Sequence, residues 1–177
     1  MSLSLVIGNK NYSSWSFRPW FYLKHHGIEF DEIRIPLYQE ESKAKILQYS
    51  PSGKVPVLID GELRIWDSLA ILEYLAERFP QTQGWPDDFA ERALARSLAA
   101  EMHAGFTALR TYCGMNCGGR RPPSICRKAC NPISTVSARS GNNAGAGTAK
   151  TAPGCSAVSA LSMRCLRRSR SVSTATS

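Results

Sequence analysis

After Glu101 the sequence contains no acidic residue, and after Tyr112 it contains no aromatic one. A chain that stops supplying large apolar side chains cannot bury enough surface to offset the entropy of ordering it. A packed fold is therefore expected only over about the first 116 residues. Residues 117–177 hold ten Lys and Arg, five of the six cysteines and no acid. Otherwise they are mainly Ser, Ala, Gly, Pro and Thr with isolated Ile, Val, Leu and Met, and no window carries a helical or strand period. The net charge of +8 thus averages two unlike halves. Twelve basic residues face fourteen acidic ones through Asn116, a balance of −2, and the tail alone carries +10. The basic pI belongs to the tail and says nothing about the front.

Leu3 to Ile7 is too short to be the apolar core of a secretory signal. No apolar run approaches the roughly 20 residues that span a bilayer. The front is expected in the cytoplasm, without a membrane partner, and a reducing compartment gives no reason to expect structural disulfides.

The front alternates strands and helices. Residues 3–7 form a short apolar run ending at Gly8, as a buried strand does. Residues 15–25 place Trp15, Phe17, Trp20, Phe21 and Leu23 at helical spacing, with Pro19 in the first turns and Gly27 as a stop. Residues 30–35 alternate apolar with charged side chains, the period of a half-exposed strand. A short helix over 40–48 ends at Ser50-Pro51-Ser52-Gly53. Strands over 55–59 and 63–66 flank an Asp60-Gly61 turn. A helix over 68–78 carries Leu69, Ile71, Leu72, Tyr74 and Leu75 on one broad stripe. This βαβαββα order predicts an α/β, thioredoxin-like domain over residues 1–80, its first crossover giving parallel neighbours and its hairpin adding antiparallel strands. Residues 81–86 read as a polar linker, and residues 87–112 as one long helix with Asp87-Asp88 at its positive end.

Three stretches carry the candidate chemistry. Ser13 and Ser14 stand where the first strand hands over to the first helix. A hydroxyl there can donate to a thiolate, and the helix end adds partial positive charge; a serine before a helix is also the commonest N-cap. Pro56, just before a strand, marks either a sheet edge or a backbone presented to a ligand. Asp67-Ser68 heads the third helix, where a hydroxyl and free N–H groups can receive a carboxylate and Asp67 an ammonium. An unliganded N-cap would look the same.

In order and spacing these stretches resemble the glutathione site of the glutathione S-transferase family. Ser13-Ser14-Trp15-Ser16 lines up with the Ser-Ser-Cys-Ser stretch of the zeta class. Ser50-Pro51-Ser52-Gly53-Lys54-Val55-Pro56-Val57-Leu58 follows the family's Asn/Ser-Pro-x-Gly-Lys-Val-Pro-Val-Leu run. Asp67-Ser68-Leu69-Ala70-Ile71 follows its acidic-Ser-x-Ala-Ile motif. The resemblance covers about residues 1–116 and implies an enzyme, a glutathione S-transferase of bacterial type, with glutathione as co-substrate, a small electrophile as its partner and a homodimer as the family's assembly. It implies Ser13 as the residue that activates the thiol, with Ser14 and the backbone around Trp15 as neighbours; the choice between Ser13 and Ser14 stays open. It implies a cis Pro56 that turns Val55 toward the cysteinyl unit, Lys54 on the glycyl carboxylate, and Asp67 and Ser68 on the γ-glutamyl end. Trp15 replaces the zeta-class cysteine, so isomerase chemistry that needs that cysteine is not implied.

The family continues into an all-helical second domain, which residues 87–116 would begin and the tail cannot complete. One of its helices starts with a Ser/Thr-x-x-Asp box, which a stretch without acids cannot contain. Abrupt loss of acids and aromatics, with Ala, Arg, Gly, Pro and Ser taking over, is what a GC-rich gene read out of frame produces. We favour that origin, with a seam between residues 113 and 123, over a natural basic and disordered extension. Cys113, Cys117, Cys126 and Cys130 are spaced x3, x8, x3 rather than as tight zinc knuckles, and no metal is expected. A second function class is a non-catalytic binding or dimerisation module whose +10 tail contacts nucleic acid through phosphates. The absence of aromatics for base stacking counts against it.

Overall fold

The computed structural model describes residues 2–112 and 114–117. Ten elements follow one another: β1 (Leu3–Ile7), α1 (Ser14–His25), β2 (Asp31–Arg34), α2 (Ser42–Leu47), β3 (Val57–Asp60), β4 (Leu63–Trp66), α3 (Ser68–Arg78), a 3-10 turn (Pro80–Thr82), α4 (Phe89–Ala104) and α5 (Thr107–Tyr112). The four strands form one sheet in the order β2-β1-β3-β4. β1 and β2 are parallel, while β3 runs antiparallel to both β1 and β4. This is the thioredoxin-like mixed sheet expected from the order of the elements.

The alternation of side chains along β1 builds a core on each face. Leu3, Leu5 and Ile7 meet Leu58 of β3, Tyr22 and Leu23 of α1, and Ile71 and Leu75 of α3. Val6 and Val57, pointing the other way, meet Ile35 and Ile46. The strand over 55–59 starts later than expected, at Val57, because Pro56 has no N–H to give a ladder. The 81–86 stretch is more than a linker. Thr82 is buried, shares a 2.5 Å hydrogen bond with the Tyr22 hydroxyl, and donates to the Phe79 carbonyl.

The chain divides into two compact units. One runs through Gly84 and takes in residues 115–117; the other starts at Trp85 and carries α4 and α5. Here the single helix expected over 87–112 is corrected: it breaks at Gly105 and Phe106. Phe106 has φ +60°. A Cβ on Gly105 would come within 2.7 Å of the Glu101 carbonyl oxygen. Arg110 closes the break, its guanidinium donating to the carbonyls of Gly105 at 2.9 Å, His103 at 3.3 Å and Met102. α4 buries only Ala95 and leaves Phe89 and Leu94 exposed. Among the described residues no helix is long and apolar enough to cross a membrane. Residues 118–177, with the expected basic tail, and Cys113, Cys126 and Cys130 lie outside the described residues.

Candidate functional site

Sheet register brings the three stretches to one edge. Val57 pairs with Val6 on one side and with Trp66 on the other. One residue beyond these pairs lie Ile7, Pro56 and Asp67; the next are Gly8, Val55 and Ser68. The loop after β1 returns Ser13 to the same end, where a Cβ on Gly8 would stand 3.2 Å from Ser13 Oγ and 2.6 Å from Leu37. Glycine at this position lets the loop close. Asn9 holds it, its side-chain oxygen accepting the Leu37 N–H at 2.7 Å and its carbonyl accepting the Ser13 N–H at 2.9 Å.

Ser13 occupies the N-cap position of α1, yet its hydroxyl caps nothing. It donates instead to Ser16 Oγ at 2.9 Å, and Ser16 Oγ also accepts the Gly8 N–H at 3.0 Å. Both serines are buried. Ser14 is half-buried, with its N–H on the Tyr12 carbonyl. The Trp15 ring carries the Arg18 guanidinium 4.1 Å from its centroid, so the indole is engaged with its own helix.

A cavity of about 140 Å³ opens beside the serine pair, walled by Ile7, Phe17, Trp20 and Lys10. Lys10 pairs with Glu32 at 2.7 Å and lies 5.0 Å from the Trp20 ring, and Trp20 Nε1 donates to Glu32 at 2.8 Å. Partial burial pushes the Glu32 carboxyl up, but the bonds from Lys10 and Trp20 outweigh it and hold the group below the ordinary carboxylate value.

The Val55–Pro56 peptide bond is cis. Among the described residues no hydrogen bond occupies the N–H or C=O of Val55. Ser50 shapes the turn that delivers it: fully buried, its Oγ lies 3.0 Å from Ser52 Oγ and accepts the Lys54 N–H at 3.3 Å. The Lys54 side chain is exposed. Sequence reasoning gave Ser50 and Ser16 no role, although both lie inside the quoted stretches.

At the head of α3, Asp67 has φ +73° and its carboxylate accepts the Leu69 N–H at 2.9 Å. Beside it Ser68 is 2% exposed, and its Oγ has no hydrogen-bond partner among the described residues. A buried hydroxyl left unpaired costs free energy. This one lies at a helix N-terminus, where N–H groups are also unspent.

Residues 12–78 match the family model of the glutathione S-transferase N-terminal domain. Over this stretch the chain is similar to the N-terminal domain of glutathione S-transferases. The chain is 34% identical over 104 residues to glutathione S-transferase 1 of Dianthus caryophyllus, covering 58% of this chain and 46% of that protein. It is 35% identical over 98 residues to a probable maleylacetoacetate isomerase of Caenorhabditis elegans, covering 55% of this chain and 45% of that one. A crystal structure of a glutathione transferase homologue from Burkholderia, with bound glutathione, shares the fold. Its TM-score is 0.58 at 24% identity, over 78% of this chain and 67% of that one. The chain spans about half the length of the curated relatives it matches.

Proposed function

We propose that the N-terminal unit binds glutathione and holds its thiol as thiolate for attack on a small electrophile. When bound, glutathione supplies the nucleophile, a thiol whose ordinary pKa of about 8.5 leaves little thiolate at neutral pH. Ser13 donates its hydroxyl to that sulfur, with Ser14 beside it and the backbone around Trp15 adding the positive end of α1. One charge-assisted hydrogen bond and a helix end supply about the 1.4 kcal/mol that each tenfold gain in thiolate requires. The N–H and C=O of Val55, presented by Pro56, take the cysteinyl backbone as an added strand would. Lys54 takes the glycyl carboxylate, Asp67 the ammonium, and Ser68 with the N–H groups behind it the γ-glutamyl carboxylate.

The observation that carries this reading is Ser68: a buried, unpartnered hydroxyl beside an exposed carboxylate, at the sheet edge that also holds Val55 and Ser13. The cavity beside Ser13 offers apolar room for part of an electrophile. Trp15, standing where a cysteine would serve isomerase chemistry, favours thiol transfer over isomerisation. A cytoplasmic homodimer, with residues 87–116 opening a helical domain that the tail does not complete, is part of the same proposal. So is weak turnover, because most of the electrophile pocket would come from that domain.

Isothermal titration of the chain with glutathione tests the site. Ser68→Ala is expected to weaken binding about 10- to 100-fold, the loss of one hydrogen bond to a charged group. Equal affinity in the two proteins removes the assignment.

A further inference from the structure

Ser16 is the polar group at this site that the reading above leaves without a task. It is 3% exposed, sits one helical turn after Ser13, and touches both Ser13 and the backbone of Gly8. A hydroxyl has one hydrogen and two lone pairs. As the two serines stand, Ser16 Oγ accepts twice, from the Gly8 N–H and the Ser13 O–H. The single hydrogen of Ser13 is therefore committed to Ser16, and Ser13 faces the cavity only as an acceptor. A hydroxyl in that state cannot stabilise a thiolate.

We infer that Ser16 is a positioning residue for thiol activation, acting through a reversal of the Ser13–Ser16 hydrogen bond. This rests on the proposal that glutathione binds here. In the reversed state Ser16 turns its own hydrogen onto Ser13 Oγ and still accepts the Gly8 N–H. Ser13 is then released to donate to the sulfur. The result is a directed chain, Gly8 N–H to Ser16 O–H to Ser13 O–H to thiolate. The O···O separation of 2.9 Å is hydrogen-bonding distance in either direction, so the reversal needs a rotation of the hydroxyls and no large displacement. The thiol proton passes to solvent; each serine keeps its hydrogen and only rotates it. Burial of both hydroxyls lets each bond polarise the next, which makes Ser13 a better donor than an isolated serine.

The test titrates the thiol of glutathione bound to the full chain, following thiolate ultraviolet absorbance against pH, with Kd measured in parallel. Ser16→Ala is expected to lower the thiolate fraction at neutral pH about two- to fourfold, a rise of about 0.3 to 0.6 in the apparent pKa of the thiol. Ser16→Thr, which keeps a hydroxyl, is expected to restore the parent value. Because Ser16 works only through Ser13, adding Ser16→Ala to Ser13→Ala should change the thiol pKa no further. If Ser16→Ala does not fold, as judged by circular dichroism, Ser16→Cys keeps a weak acceptor for the Gly8 amide and should raise the pKa in the same direction. Binding with an unmoved pKa in the folded Ser16 variant, or additive shifts in the double variant, overturns the relay and leaves the glutathione site standing. Failure of the parent chain to bind glutathione overturns both.

Discussion

Asp67 holds a backbone conformation that should set stability and binding against each other. Its φ of +73° with ψ of 132° lies in a region almost reserved for glycine, which costs about 1 to 3 kcal/mol. Its side chain offsets part of that by accepting the Leu69 N–H, a cap that alanine would forfeit for about 1 kcal/mol. Asp67→Ala keeps the strain and loses the cap, so it should destabilise by about 1 kcal/mol. Asp67→Gly removes the strain, gives up a few tenths of a kcal/mol in capping, and adds about 0.5 to 1 kcal/mol of unfolded-state freedom. The glycine variant should fall between unchanged and about 2 kcal/mol more stable than the parent, and well above the alanine variant. Urea unfolding followed by tryptophan fluorescence reads the difference. In glutathione titrations the same glycine variant should bind about tenfold more weakly, having lost the carboxylate proposed for the ammonium. An alanine variant as stable as the glycine variant would refute the strain argument.

Two further perturbations distinguish alternatives by sign. If residues 89–112 were one helix, Gly105→Ala would stabilise it by about 1 kcal/mol; with the break in place the new Cβ meets the Glu101 carbonyl at 2.7 Å. The variant should therefore lose about 1 to 3 kcal/mol, and a gain in helicity or stability by circular dichroism during denaturation would contradict the break. Glu32 has a folded-state pKa below its unfolded value of about 4.3. Its contribution is full above that value and is lost as pH falls through the folded one. Acid titration of stability should accordingly be shallower in Glu32→Gln than in the parent, and matching profiles would show that the contacts with Lys10 and Trp20 contribute nothing.

The parts of the fold that the sequence disclosed are those in which periodicity and termination agree. β1, β4 and α3 fall where alternation or a stripe is closed by Gly8, Asp67 and Phe79. The break at Gly105 was hidden because the apolar spacing of Leu98, Met102, Phe106 and Leu109 continues across it. One glycine without a nearby proline is weak punctuation, and the carbonyl cap supplied by Arg110 is a tertiary fact. The same limit applied at the site. Ser13, Pro56 and Asp67-Ser68 announce themselves because each sits at an element boundary. Ser16 and Ser50 act through hydroxyl contacts set by how a loop closes, and nothing in a serine's neighbours along the chain reports that.

The double pairing of Val57 has a consequence for anyone wishing to rebuild this edge elsewhere. What keeps Val55 beside Ser68 is a count: eleven steps from Pro56 to Asp67, spent on two strands and a two-residue hairpin. The identities in between matter for the core, but the distance is kept by number. One residue added to the hairpin and taken up as a one-step slip of β4 against β3 would turn every β4 side chain to the opposite face and carry Ser68 one step along the edge. Such a graft would keep four strands and still lack the edge. Designs that borrow this edge should therefore preserve strand offset and loop length first, and side chains second.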